Sequence, residues 1–204
     1  MDVGYTGGVV RDLVFESVEG VTQPEFAAWL ERAPLAPGRY ELLNGRVVMT
    51  PPAGYPHGSV GAALLVAIDA HVRLREAGRV LDSSQGYELP SGDTVEPDVS
   101  FVSHERWSAG PAPEEGKFLR IVPDLVVEVL SPTTASRDRG EKKAIYERAG
   151  VRELWLVDVR ARRVTRLVLG EGRFDVGTSF EEDETLESTV LPGLAVAVAS
   201  LMTR

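Results

Sequence analysis

The sequence contains no cysteine among its 204 residues. That absence excludes disulfide bonds, thiolate metal sites and a cysteine nucleophile, and it fits a cytoplasmic protein. No apolar stretch approaches the ~20 residues that a membrane-spanning helix requires, and the first residues lack the ordered regions of a secretory signal. Histidine occurs only three times and no G-x-S-x-G sequence is present, which argues against a serine hydrolase. We therefore expect a cytoplasmic protein with no membrane contact.

Positive charge is also scarce, with 22 Lys and Arg against 31 Asp and Glu and a net charge of −9. Nucleic-acid-binding proteins usually show a basic footprint, so this balance argues against such a partner. The charge is uneven, because residues 137–166 carry ten basic and five acidic side chains while residues 171–187 carry seven acids and one arginine. Solvated faces are the ordinary explanation for both segments. An acidic chain can still hold a metal ion, since carboxylates attract cations.

The N-terminal half of the sequence predicts two helices around a β-hairpin. Thr22 and Glu25 form a capping-box pattern, which predicts a helix that ends near residue 32. The Asn44-Gly45 pair between two β-prone arms predicts a hairpin over residues 40–49. Apolar side chains at helical spacing predict a long helix over residues 57–77; they are Val60, Leu64, Ala67, Ile68 and Val72.

The C-terminal half predicts a run of strands with one crossover helix. The helix is expected over residues 136–148 and is closed by Gly150. The expected strands are 80–81, 87–89, 96–102, 124–130, 153–159, 164–169 and 173–176, followed by a short apolar C-terminal element. This order indicates an α/β protein with a mixed sheet flanked by helices. The length suits one domain, which we assign to residues 22–204, with residues 1–21 as an N-terminal segment expected to be partly mobile.

Two acidic residues interrupt apolar strands. Glu128 shares a strand face with Val126 and Leu130, and an ionised carboxylate buried there needs a partner or a metal. Asp98 begins another apolar strand. A salt bridge for the glutamate and a turn after Pro97 for the aspartate are the ordinary alternatives. Two neighbouring carboxylates repel each other unless a cation lies between them, and such oxygen ligands suit Mg²⁺ or Mn²⁺ better than zinc.

A lysine on the predicted crossover helix completes this set. Lys142 and Tyr146 are four residues apart and therefore share a helix face. The apolar stripe that contains Tyr146 would carry the lysine stem toward the sheet while the ammonium group reaches the acids. The ordinary alternative is a solvated surface lysine, which is what we expect for Lys143, about 100° away around the helix.

The segment PDLVVEVLSPTTASRDRGEKKAIYERAGVRELWLVD, residues 123–158, resembles the Uma-type family of restriction-endonuclease-like proteins in the PD-(D/E)XK nuclease superfamily. The similarity extends upstream through EPDVSFV and YELLNGRVVMTPPAGYPHG and downstream to LPGLAVAV, so it covers the chain from about Thr22. This resemblance implies a restriction endonuclease-like fold, a divalent metal and phosphodiester hydrolysis. It also implies a nucleic-acid partner, with DNA as the expected one, and a homodimer.

The resemblance assigns roles to individual residues. Asp98 matches the aspartate of the "PD" motif and Glu128 the acid of the next strand. The position two residues after Glu128, often lysine in the superfamily, is Leu130, and the resemblance places the lysine at Lys142 instead. Glu41 matches an upstream acidic position. His57 matches a histidine at the start of the long helix, where binding a backbone group is an equal alternative.

These residues predict a Mg²⁺-dependent endonuclease. Asp98 and Glu128, with a backbone carbonyl beside Glu128, would hold one Mg²⁺ or Mn²⁺ ion, which activates a water molecule. Lys142 would orient that water or stabilise the developing charge, while Glu41 positions Lys142 or completes the metal shell. Arg137 and Arg139, near the helix start, are expected to contact the substrate backbone.

The alternative is a non-catalytic scaffold or partner-binding module that retains a nuclease fold. The net negative charge supports it, whereas the presence of both acids and the lysine favours catalysis.

Overall fold

The computed structural model describes residues 20–32 and 37–202, together with the backbone of residues 15 and 16. Most of the proposed N-terminal segment, residues 1–21, lies outside this described part. In chain order the elements are β1 (Phe15–Glu16), α1 (Gln23–Leu30), β2 (Arg39–Leu43), β3 (Arg46–Thr50), α2 (His57–Arg75), β4 (Gly78–Asp82), β5 (Tyr87–Glu88), β6 (Thr94–Val95), β7 (Val99–Ser103), α3 (His104–Ala109), β8 (Leu125–Val129), α4 (Ala135–Arg137), a π-helical turn (Asp138–Lys142), α5 (Lys143–Ala149), β9 (Glu153–Asp158), β10 (Arg163–Gly170), β11 (Arg173–Phe174), β12 (Thr178–Phe180), β13 (Thr185–Glu187), β14 (Ala195–Ala197) and α6 (Val198–Leu201).

The smaller sheet is built on the predicted hairpin. Its strand order is β1-β3-β2-β6-β5, and every pair in it is antiparallel. Asn44 and Gly45 both have positive φ, 50° and 76°, as a tight two-residue hairpin turn requires. At the preceding helix, the Thr22 backbone N–H donates to Glu25 Oε2 at 2.9 Å, so the capping pattern does begin α1.

The larger sheet is mixed, as predicted. Its order is β11-β10-β9-β8-β7-β4, and β12 also pairs with β10. Only β8 and β9 run parallel among these pairs, because the chain between them crosses over through α4, the π-helical turn and α5. Parallel neighbours need such a crossover connection. The candidate residues on β7, β8 and the crossover therefore come from three adjacent elements.

The two faces of the larger sheet pack against different partners. On one face, α2 buries its apolar stripe against alternate β8 residues, including Val127. On the other face, Val126 and Leu130 pack with Ile145 and Tyr146 of α5 and with residues of the smaller sheet. Because side chains alternate along a strand, Glu128 belongs to this second face, between the sheet and the crossover.

Several elements differ from the sequence prediction. The helix expected over residues 136–148 is interrupted by the π-helical turn Asp138–Lys142, and the strand expected from residue 96 begins at Val99. The helix α3, with six residues, is too short to show a helical period, and it begins where Ser103 Oγ accepts the Arg106 N–H. The sequence does not predict strands β6, β12 and β13, of two or three residues each, because they show no readable alternation, whereas β14 lies within the predicted short apolar C-terminal element.

None of the helices in the described ranges is long and apolar enough to cross a membrane.

Candidate active site

The four residues predicted to be catalytic lie around one small cavity of about 10 Å³. Glu41 comes from β2, Asp98 directly precedes β7, Glu128 lies on β8, and Lys142 ends the π-helical turn. The cavity is close in size to the ~10–15 Å³ that one water molecule needs. Its other lining residues are Arg39, Thr50, Val129, Thr134, Arg137 and Asp138.

Lys142 is buried between two carboxylates. Its Nζ lies 2.8 Å from Glu41 Oε1 and 2.7 Å from Glu128 Oε1, and the residue is only 2% exposed. Burial alone would lower the pKa of Lys142, but Glu128, Glu41 and Asp138 together raise it well above its usual range. The interpretation as a solvated surface lysine is therefore wrong. The position also agrees with the tendency of π-helical turns to occur at functional sites.

Glu128 shares one oxygen between two donors. Its Oε1 accepts a hydrogen bond from the Tyr146 hydroxyl at 2.5 Å as well as the contact from Lys142. The sequence prediction that Lys142 and Tyr146 share a helix face is thereby confirmed. Burial raises the pKa of Glu128 to about 8, because the attraction of Lys142 does not outweigh burial and the neighbouring acids. Burial therefore opposes the ionisation of Glu128 even with Lys142 beside it.

Glu41 is the ionised partner of Lys142. Burial opposes its ionisation, but the charge and hydrogen bond of Lys142 lower the pKa of Glu41 below its ordinary value. The same Oε1 also accepts the backbone N–H of Glu96 at 2.9 Å. Glu41 is therefore fixed by β2 and by the chain leading into β7, and it holds the ammonium group of Lys142 in place.

Asp98 is held in the ionised state by three donors. Oδ1 lies 2.6 Å from Arg39 Nη1, while Oδ2 accepts the Val129 N–H at 2.7 Å and lies 3.2 Å from His57 Nε2. Burial opposes ionisation, yet His57 and Arg39 hold the pKa of Asp98 at about 2. The pKa values of Asp98 and Glu128 are thus shifted in opposite directions, a pattern typical of sites that carry out acid and base chemistry.

His57 belongs to the site region and does more than begin α2. It contacts Asp98, its side chain is 16% exposed, and it lines a larger groove next to the cavity. The alternative role, in which a histidine at a helix start binds a backbone group, does not account for this carboxylate contact.

The two arginines predicted near the helix start occupy different environments. Arg137 lines the cavity; its Nη2 donates to Thr50 Oγ1 at 3.3 Å, and its Nε and Nη1 are buried without a hydrogen-bond partner in the described structure. Arg139 is exposed and pairs with Asp158 at 2.5 Å. It lines neither the cavity nor the groove.

Sequence reasoning missed Arg39 and Asp138. Arg39 lies two residues before Glu41 on the same strand face, so strand alternation could have identified it. Asp138 is 4% exposed, and burial raises its pKa. Asp138 lies four residues before Lys142, so the spacing that pairs Lys142 with Tyr146 could have identified it as well.

The donor set suits a hard divalent cation. Among the described residues, no three His, Cys, Asp or Glu side chains are grouped so as to hold a metal ion. Mg²⁺, however, commonly binds through only one or two carboxylates and keeps several of its water ligands. The carboxylates of Asp98 and Glu128 are oxygen donors of the kind that Mg²⁺ or Mn²⁺ prefers, and they are not the thiolate or imidazole donors of a zinc site.

A groove of about 650 Å³ lies beside the cavity. It is lined by residues 50–57, residues 130–134, Arg39 and the turn between β9 and β10. Arg39, Thr50 and Thr134 line both the groove and the cavity. A molecule in the groove would therefore border the acidic cluster.

Comparison with known proteins agrees with this architecture. The model of the Uma2 family, described as "Putative restriction endonuclease", matches residues 24–199. Among solved structures, the chain is similar to a "putative nuclease belonging to DUF820" from Anabaena variabilis, with a TM-score of 0.73 and 18% identity over 89% of this chain and 97% of that one. No curated protein matches the chain. The structural likeness shows a restriction endonuclease-like fold, and because the family match spans most of the sequence, the chain belongs to the Uma2 family.

Proposed function

We propose that this protein is a Mg²⁺- or Mn²⁺-dependent endonuclease that hydrolyses phosphodiester bonds of nucleic acid, with DNA as the first substrate to test. The observation that supports this most strongly is the buried Lys142, which contacts Glu41 and Glu128 in a cavity that Asp98 also lines. Membership of the Uma2 family supports the same activity.

The residues divide the chemistry among them. A divalent ion held by Asp98 and Glu128 would polarise the phosphate and lower the pKa of a bound water. Lys142 brings a fixed positive charge toward the oxygen on which negative charge develops. Glu41 acts as a positioning residue, because it accepts hydrogen bonds from both Lys142 and the Glu96 backbone. Tyr146, through its hydrogen bond, fixes the orientation of Glu128.

Asp98→Asn tests the proposed activity directly. Asparagine keeps the shape of the side chain but removes its charge, so metal-dependent cleavage should fall by at least about 100-fold. The measurement is nicking and linearisation of supercoiled DNA by purified protein in Mn²⁺, with EDTA as the blank. Asp158→Asn is the matched control, because Asp158 pairs with Arg139 outside the cavity. Cleavage that persists in EDTA, or that Asp98→Asn leaves intact, would contradict the proposal.

Arg137 is the residue that we assign to a substrate phosphate. Buried polar atoms almost always have partners, and Nε and Nη1 of Arg137 have none among the described residues, so these two nitrogens are available to bind an anion. Arginine binds phosphate through paired hydrogen bonds that lysine cannot reproduce. We expect Arg137→Lys to weaken substrate binding by roughly 10- to 100-fold, since a hydrogen bond to a charged group is worth about 1.5–3 kcal/mol.

Substrate titration of cleavage rates measures this effect as an increase in KM. Arg139→Lys serves as the control, because that arginine is exposed and engaged with Asp158. Equal KM values for the two variants would show that Arg137 does not bind the substrate.

One observation favours the scaffold alternative. Asp98 is already paired with Arg39, and Glu41 and Glu128 with Lys142, as in a purely structural ion-pair cluster. Thermal melting separates the two functions, because a metal that binds only the native state raises its stability. A melting temperature unchanged by millimolar Mg²⁺ and Mn²⁺ would support the scaffold.

A further inference from the structure

The groove beside the cavity differs in charge from the rest of the chain. Its lining contains three arginines, Arg39, Arg160 and Arg162, and no aspartate or glutamate, although the whole chain has a net charge of −9. A concave surface lined by one sign of charge attracts ligands of the opposite sign. The acidic side chains that give the chain its net negative charge are therefore not part of the groove lining through which a substrate would reach the cavity.

Apolar and aromatic side chains make up much of the remaining lining. Tyr55 is 78% exposed and follows Gly54 in the loop between β3 and α2, which also presents Pro51 and Pro52 to the groove. A tyrosine exposed in this way offers a flat face for a planar partner. Nucleic-acid bases are such partners, and stacking on aromatic side chains is the usual way in which proteins hold unpaired bases.

We propose that this groove binds a single-stranded segment of nucleic acid, with a base stacked on Tyr55 and a neighbouring phosphate at Arg160. The inference that the strand bound in this groove is a substrate rests on the proposed nuclease function. Base faces are available in a single strand and hidden in a duplex, so the exposed tyrosine and the prolines favour the single strand.

The number of arginines in the groove that have no acidic partner also favours a single strand over a duplex. Duplex binding depends on neutralising many phosphates, but Arg39 and Arg162 are already paired with Asp98 and Glu182. The structure shows no ion pair for Arg160 with another described residue. One uncommitted arginine in the groove suits a short single strand whose affinity comes mainly from stacking.

The groove also leads to the candidate active site. His57 lines the groove and contacts Asp98, and Thr50 and Thr134 line both the groove and the cavity. A base held by Tyr55 would therefore bring an adjacent phosphodiester toward the acidic cluster.

Fluorescence anisotropy in EDTA tests binding without cleavage. The probes are a short labelled oligodeoxynucleotide, the oligoribonucleotide of the same sequence, and the corresponding DNA duplex. We expect the wild-type protein to bind at least one single strand about tenfold or more tightly than the duplex; the tighter of the two shows which sugar is preferred. Tyr55→Ala should weaken single-strand binding by roughly 5- to 150-fold, while Tyr55→Phe should stay close to wild type.

Leu74→Ala is the matched control, because Leu74 is also a large exposed side chain, 82% exposed, but lies outside the groove. Equal affinity for duplex and single strand, or unchanged binding by Tyr55→Ala, would overturn the inference. Tyr55-dependent binding without any Mn²⁺-dependent cleavage would uphold it and reject the nuclease function. Duplex cleavage that Tyr55→Ala leaves unchanged would overturn the inference and support the nuclease function.

Discussion

Replacing Lys142 with alanine is expected to lower cleavage by about 10²–10³-fold, the usual effect of removing a preorganised charge from a reacting phosphate. The same change should also destabilise the fold by roughly 3–5 kcal/mol, because it leaves a buried carboxylate without its cation. The sequence alone predicts that Lys142→Ala keeps its fold. The contacts of Lys142 with Glu41 and Glu128 show why the variant should instead lose stability.

A second variant separates these two effects. Glu41 is the ionised partner of Lys142, so Lys142→Met combined with Glu41→Gln removes both charges of this pair. Replacing both members of a buried pair is often close to neutral for stability. We therefore expect the double variant to regain most of the free energy of unfolding lost in Lys142→Ala and to cleave no faster than Lys142→Ala.

Urea unfolding followed by circular dichroism gives the stabilities, and supercoiled-DNA nicking gives the activities. Lys143→Ala is the matched control, since Lys143 is the adjacent lysine and its ammonium group lies over the Phe174 ring, outside the cavity. Full activity in the refolded double variant would show that Lys142 is structural and has no part in catalysis.

The parts of this site that sequence could predict are those that depend on short-range periodicity. A carboxylate within an apolar strand identified Glu128, and a spacing of four residues placed Lys142 with Tyr146. Both signals are local: β8 is regular at Glu128, and the four-residue spacing still brings Lys142 and Tyr146 to Glu128 although Lys142 ends the π-helical turn. The hairpin was equally predictable, since Asn44 and Gly45 specify their turn by local conformation alone.

The remaining parts depend on tertiary packing, which local patterns do not encode. Arg39 meets Asp98 across 59 residues of sequence, and Arg137 reaches Thr50 across 87. The environments of Arg137 and Arg139 differ completely although the two residues are neighbours in sequence. Side chains two residues apart leave a helix about 200° apart, and the packing of the crossover against the sheets decides which of the two meets the cavity.

The metal-free protein is expected to lose stability as the pH rises from about 5 to about 8. Glu128 has a pKa of about 8 in the folded protein and an ordinary value near 4.5, so between these values the folded state holds a proton that the unfolded state has released. The contribution of this proton on Glu128 to the free energy of unfolding is fully present below the ordinary pKa. It is lost progressively as the pH rises toward 8. The slope that Glu128 alone contributes is at most about 1.4 kcal/mol per pH unit.

Two other acids must be considered in the same pH range. Burial and the neighbouring Glu41 raise the pKa of Glu96 to about 7, so Glu96 contributes a loss of the same sign at slightly lower pH. Asp98, with a pKa of about 2, stays ionised throughout and adds no slope. Glu128→Gln and Glu96→Gln, compared singly, therefore give the shares of these two acids in the pH dependence.

Metal binding should follow the same proton. A divalent ion beside Glu128 replaces the proton there, so metal affinity should rise with pH up to about 8 and level off above it. A metal present at 100 times its Kd stabilises the native state by about 2.7 kcal/mol. Melting temperatures measured in EDTA and in Mn²⁺ at several pH values test this, with a larger metal-induced increase at high pH in the wild type. Glu128→Gln should show neither the metal-induced increase in melting temperature nor the part of the pH slope that Glu128 contributes. Identical pH profiles for this variant and the wild type would mean that Glu128 does not take up a proton on folding.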